Sequence, residues 1–162
     1  MSHRTFSIVS PSATVAGAES LIVIRPPTDG VNIELLEARI SQTGSTTSEM
    51  VGGAIGLKSS AFQTLTASTP VALRSGGTAS VISGGTAAAA GTAGVNSSAE
   101  GAGTFVPLVE DGFNNINGWL WLPMPDSRIV VPSGSSEALT LKLTTTPSGL
   151  TGWRATLIFR EV

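Results

Sequence analysis

The chain contains no cysteine, and its single histidine, His3, stands beside the N-terminus. Without thiols there is no disulfide framework, no thiolate zinc site and no cysteine nucleophile. One histidine next to a terminus offers no Ser-His-Asp arrangement, so His3 reads as incidental. Charge is scarce too: charged residues make up 12% of the sequence, against roughly 25% in an ordinary soluble protein. The nine lysines and arginines are scattered from Arg4 through Lys58 to Arg160 and the net charge is −2, so no basic patch is set up for phosphates and no nucleic-acid partner is expected. Long hydrophobic runs are missing as well. The longest clean one is Leu21–Ile24, far too short to span a bilayer, and no membrane partner is expected. Ser7, Ser10 and Pro11 interrupt any signal-peptide core near the start. Gly101 and Gly103 do not complete a dinucleotide fingerprint, because position 106 is Val, and there is no P-loop. No repeat of 20–50 residues points to a solenoid or propeller.

What the chain does have is apolar residues at period two. Leu139, Leu141 and Leu143 alternate with Thr140, Lys142 and Thr144; after a Thr-Pro-Ser-Gly turn, Trp153, Ala155, Leu157 and Phe159 alternate with Arg154, Thr156, Ile158 and Arg160. Such alternation places one set of side chains on a core face and the other on the opposite face of a strand. Phe6 and Ile8 alternate weakly over Arg4–Val9, a possible N-terminal arm or edge strand within residues 1–10 that stops at Ser10-Pro11. Leu21–Ile24, closed by Pro26-Pro27, suits a strand covered on both faces. In Asn32–Gln42, Ile33 and Leu35 share one parity while Leu36, Ala38 and Ile40 share the other, which a strand reconciles only by a β-bulge near Leu35–Leu36. A helix over Val31–Ser41 is the rival reading. Met50–Lys58 reads as a strand whose Gly52 and Gly56 suggest close approach of another backbone or a bend, and Thr69–Arg74 as a short strand.

Ser83–Gly103 consists of Gly, Ala, Thr and Ser with one charge, Glu100, and reads as a long flexible loop. Strands resume at Thr104–Val109, turn at Asp111-Gly112, and continue through Phe113–Leu122 and Arg128–Val131. The expected fold is all-β: one domain over residues 1–162, an antiparallel β-sandwich of jelly-roll type with the Gly/Ala/Thr-rich loop at 83–103.

Candidate chemistry is thin. Glu34 and Glu37 could form an acid/base pair, but solvated carboxylates paired with Arg39 describe them better. Glu110-Asp111-Gly112 lacks the ligand ladder of a calcium site. Asn96-Ser97-Ser98 fits a glycosylation sequon only by chance. No catalytic, cofactor-binding or metal-binding residue is assigned, and no cofactor is expected. Asn114, Asn115, Asn117 and Trp119 combine amides with an aromatic ring, the makings of a sugar platform; the simpler reading is a turn into a strand. Trp119-Leu120-Trp121-Leu122 is apolar on both parities and needs cover on both faces, from the core on one side and from 83–103 or a neighbouring subunit on the other. With a mean hydropathy of +0.28 and so little charge, the chain is expected to finish its burial in an oligomer. The expected interface residues are Phe6, Ile8, Trp119, Trp121 and Leu122, with Ser2–Ile8 and 83–103 as segments that order on a partner.

The order of Leu21-Ile22-Val23-Ile24-Arg25-Pro26, Ile33-Glu34, Ile40-Ser41, Thr69-Pro70-Val71-Ala72-Leu73, Gly118-Trp119-Leu120-Trp121-Leu122-Pro123, Arg128-Ile129-Val130-Val131-Pro132 and Leu157-Ile158-Phe159-Arg160-Glu161 resembles small virion proteins of tailed bacteriophages and prophages, in particular jelly-roll head decoration (cement) proteins. The resemblance covers most of the chain outside Ser83–Gly103. It implies a non-enzymatic protein, made in the bacterial cytoplasm, that binds the outer surface of an assembled capsid, commonly as a homotrimer, with the major capsid protein as partner. A carbohydrate- or receptor-binding module is the alternative.

Overall fold

The computed structural model describes residues 4–44, 47–60 and 62–162. Its strands are β1 (Arg4–Ala13), β2 (Ser20–Arg25), β3 (Ile33–Gln42), β4 (Met50–Ser59), β5 (Thr64–Ala67), β6 (Val71–Ala72), β7 (Ser83–Gly84), β8 (Thr92–Ala99), β9 (Thr104–Asn114), β10 (Trp119–Trp121), β11 (Val130–Val131), β12 (Glu137–Leu143) and β13 (Trp153–Glu161). They form two sheets packed face to face, one in the order β10-β3-β13-β1-β6 with β11 also on β3, the other β5-β8-β2-β12-β4-β9 with β7 on β8. Every pairing except β7–β8 is antiparallel. This is the expected antiparallel sandwich, and its sheet-to-sheet crossings are compatible with a jelly roll. No α-helix forms among the described residues.

The alternating C-terminal strand builds the core as its period requires. Trp153, Leu157 and Phe159 are fully buried, Ala155 nearly so, and they meet Leu139, Leu141, Leu143, Ile22 and Ile24 of the second sheet in one apolar cluster. β2 is buried along almost its whole length, as its unbroken apolar run implies. Its second face is covered by a smaller cluster of Val23, Leu65, Ala87 and Ala138, with Phe62 against it. The same cover buries Ala138 and Thr140, so β12 is enclosed on both faces over the stretch where alternation alone implied one exposed face.

The bulge in β3 falls where the mixed parity requires it. Ile158 pairs with Glu37 and Phe159 with Leu35, leaving Leu36 as the extra residue. Ile33, Leu35, Ala38 and Ile40 thereby all reach the core. Deleting Leu36 restores simple alternation and is expected to cost only about 1–2 kcal/mol. Deleting Thr156 from β13 turns Trp153 and Ala155 outward and is expected to abolish folding. Thermal melts of the two deletion variants check this; equal damage from both would contradict it.

Four expectations are corrected. First, β1 is an interior strand between β13 and β6, extending past Pro11 to Ala13. Phe6 and Ile8 are core residues at 1% exposure, with the Phe6 ring 5.8 Å from that of Phe159, and are closed to a partner. Ser2 and His3 lie outside the described residues. Second, the flexible loop expected at 83–103 contains β7 and β8. Its period is present but carried by small side chains: Ala93, Val95 and Ser97 are buried. At Gly94 a Cβ would stand 2.6 Å from the Gly85 oxygen and 2.7 Å from Leu65 Cβ, so another layer packs directly on this strand. Third, Asp111-Gly112 is no turn. Gly112 sits opposite Gly52, and β9 runs straight through to Asn114. Fourth, Phe113–Leu122 is therefore not one strand; the chain reverses at residues 115–118. The expected close approach at Gly56 does occur, since a Cβ there would lie 2.3 Å from the Val106 oxygen and 2.7 Å from the Phe105 ring.

Candidate interaction surface

The paired glutamates singled out by sequence are engaged in ion pairs of the fold. Glu34 and Glu37, brought to one face of β3 by the bulge, are both paired with arginine. Glu34 is 7% exposed and lies between Arg160 and Arg128, the latter at 3.0 Å; Glu37 pairs with Arg39. The Arg160 hydrogen bond, joined by Arg128, holds the Glu34 carboxyl below the usual carboxylate range against the opposing effect of burial. A lowered folded-state pKa stabilises the protein above the unfolded value of about 4.3, and that contribution disappears as pH falls through the folded pKa. Glu34→Gln is expected to cost about 1–3 kcal/mol at neutral pH and to flatten the acid limb of stability against pH. Urea melts across pH 3–7 test it, and an unchanged acid limb would count against the assignment.

A second buried cluster was not visible in sequence. Lys58, 3% exposed, donates to the carbonyls of Glu100 at 2.6 Å and Gly101 at 3.3 Å. The Glu100 carboxylate accepts from the Ser20 N–H at 2.6 Å, the Ser20 hydroxyl at 2.9 Å and Lys142 Nζ at 3.1 Å. Burial pushes the Glu100 carboxyl up, yet Ser20 and Lys142 outweigh it and leave it below the usual range; burial pushes the Lys58 ammonium down. These contacts clamp the β8–β9 connection across β2, β4 and β12. At Gly103 a Cβ would sit 1.7 Å from the Ser60 oxygen, so this clamp closes backbone on backbone. Among the described residues no group of three or more His, Cys, Asp or Glu could hold a metal ion, and no helix is long and apolar enough to cross a membrane.

The amide-rich turn is likewise structural. Asn115 is completely buried: its Oδ1 accepts from the Glu49 N–H at 3.0 Å, and its Nδ2 donates to Gln42 Oε1 at 2.8 Å and to the Thr47 carbonyl at 3.0 Å. Asn114 closes the turn, its carbonyl accepting the N–H groups of Asn117 and Gly118 and its Oδ1 that of Ile116. Gly118, at φ +71°, lets the turn pass against Ile40. Trp119 stacks on Phe113 at 6.4 Å and 18°. The four-residue sugar platform is thus not formed: Asn115 faces inward and Trp119 leans on the core, leaving Asn117 exposed and Asn114 half-buried.

The two tryptophans of β10 settle where its apolar parities go. Trp119 and Trp121 pack against the core opposite Ile40 and Ala38. The other parity finds no cover among the described residues, with Leu120 57% and Leu122 68% exposed. The 83–103 segment, expected as one possible cover, is tied into the far end of the other sheet by β8. Leu122 leads into a proline-stiffened loop that projects Met124, 76% exposed, through the short turn Pro125–Ser127 before β11 rejoins β3. Ile116, Leu120, Leu122, Met124 and Val130 are all exposed along residues 116–130, and Val106 and Leu108 are exposed on β9, the edge strand of the other sheet. β9 is the free edge of its sheet, yet Pro107, a bulge at Leu108 and the acids Glu110 and Asp111 blunt it against strand addition. What this side offers a partner is side chains, not backbone.

Comparisons with protein-family models, with curated proteins and with solved structures find no match for this chain.

Proposed function

We propose that the chain is a non-enzymatic structural subunit that decorates the outer surface of an assembled phage head as a homotrimer and stabilises it by bridging adjacent copies of the major capsid protein. The observation that carries this reading is the uncovered apolar edge of β10 and the following loop, set on a sandwich whose buried charges are all engaged in holding strands together. An apolar patch of this kind on a rigid frame calls for another protein surface. A ligand that binds only the assembled shell stabilises it in proportion to RT ln(1 + [L]/Kd). An oligomer adds to this, because its second and third contacts are effectively intramolecular.

Co-sedimentation tests the reading. The purified protein mixed with phage heads lacking it is expected to pellet with them in saturable fashion, and heads so loaded are expected to retain DNA to a higher temperature. Protein that stays in the supernatant at every concentration would overturn the proposal.

A further inference from the structure

The sheet containing β13 exposes apolar side chains at both of its edges, and each edge carries one exposed charge without an ion pair among the described residues, of opposite sign at the two edges. On the β10–β11 edge, Leu120, Leu122 and Met124 accompany the exposed Asp126, which makes no ion pair among the described residues. On the β1–β6 edge, Val9, Val71 and Leu73 are 51%, 66% and 54% exposed. Beside them lies a pocket of about 420 Å³ between β1 and residues 72–78, lined by Arg4, Thr5, Arg74, Ser75 and Thr78 among others. Arg4 is already committed to Glu161 at 2.6 Å and to the Ala79 carbonyl. Arg74 is exposed and has no acidic partner among the described residues.

We propose that a second copy of this chain occupies that pocket: its loop 122–127 seats Met124 and Asp126 between β1 and residues 72–78, with the Asp126 carboxylate on Arg74. The inference rests on the reading of the chain as an assembly subunit and adds which surfaces meet. Charge decides the arrangement. Either edge docked on its own counterpart brings Asp126 or Arg74 no opposite charge, whereas head-to-tail docking sets each against the other. A contact between opposite edges of one molecule is heterologous, and a closed ring built from it needs at least three copies. The pocket is open at the surface and Arg74 lines it without an acidic partner among the described residues, so a loop with an acidic tip suits it.

Light scattering after size exclusion tests this with Asp126→Arg, Arg74→Glu and the double charge swap. Both positions are exposed, so melting temperatures of the variants at low concentration are expected to match the parent. The parent is expected to elute as three or more copies, each single reversal to weaken assembly by about tenfold or more, and the double swap to restore it. An oligomeric parent indifferent to both reversals, or single defects that the swap fails to rescue, would overturn the head-to-tail contact. A parent that stays monomeric would overturn it too, while saturable binding to heads would leave the decoration reading standing.

Discussion

Trp153→Ala is expected to remove about 3–5 kcal/mol of folding stability, a large part of the 5–15 kcal/mol typical of a domain. Trp153 is fully buried, and its ring meets Phe113 edge-on at 6.3 Å and 83°. Its Nε1 donates to the Gly149 carbonyl at 2.8 Å, in the segment that Glu49 grips through the Ser148 N–H and hydroxyl. Truncation leaves a cavity at the end of β13 and takes from the Gly149 carbonyl one of its two donors, the other being Gln42 Nε2 at 2.8 Å. Trp153→Phe keeps most of the packing and loses only the donor, so about 1–2 kcal/mol is expected. Urea unfolding separates the two by midpoint at constant slope. A loss below about 1 kcal/mol for the alanine variant would mean that the ring does not anchor the core.

Asn115→Ala carries the second large effect, about 2–4 kcal/mol. The substitution removes a fully buried side chain and leaves the Glu49 N–H, Gln42 Oε1 and the Thr47 carbonyl without the group that joins them. The chain before β4 and the turn after β9 are held to each other by this side chain together with the Asn115 N–H on the Glu49 carbonyl and Asn114 Nδ2 on the Ser48 hydroxyl, so both are expected to loosen when its share is lost. A sugar-contacting asparagine on an exposed platform would behave otherwise: its replacement would leave the melting temperature unchanged. Differential scanning calorimetry distinguishes the two outcomes directly.

The fold was legible where large side chains write the period. β13 and the leucines of β12 announce their faces because Trp, Leu and Phe alternate with polar or charged residues. The β3 bulge could be located because two large sets of opposite parity must share one core. β8 was illegible for the complementary reason: its inward residues are Ala93, Val95 and Ser97, and hydropathy barely registers them. What makes it a strand is the tight layer over Gly94, a tertiary fact. Asp111-Gly112 shows a local preference overruled, since turn chemistry yields to the pairing of Gly112 with Gly52. At the site, the Trp119–Leu122 strand was correctly singled out as the anomaly, but parity alone could not say which face stays bare. The indoles turn inward because Phe113 and Ile40 offer them a surface, and the leucines are left outside. Phe6 and Ile8 were misplaced because a two-residue alternation near a terminus looks the same in an arm as in an interior strand. The acid tip at Asp126 and the free Arg74 lie 52 positions apart in sequence, and only the sheet order sets them at opposite edges of one molecule.

Residues 120–130 are expected to be covered by another protein chain. Hydrogen exchange followed by mass spectrometry, on protein diluted below and concentrated above its assembly threshold, reads this segment directly. The expected result is exchange slowed by about tenfold or more over residues 119–131 on assembly, with β2, already buried within the chain, unchanged. Identical exchange over 119–131 in both states, with the slowing found elsewhere or nowhere, would contradict it.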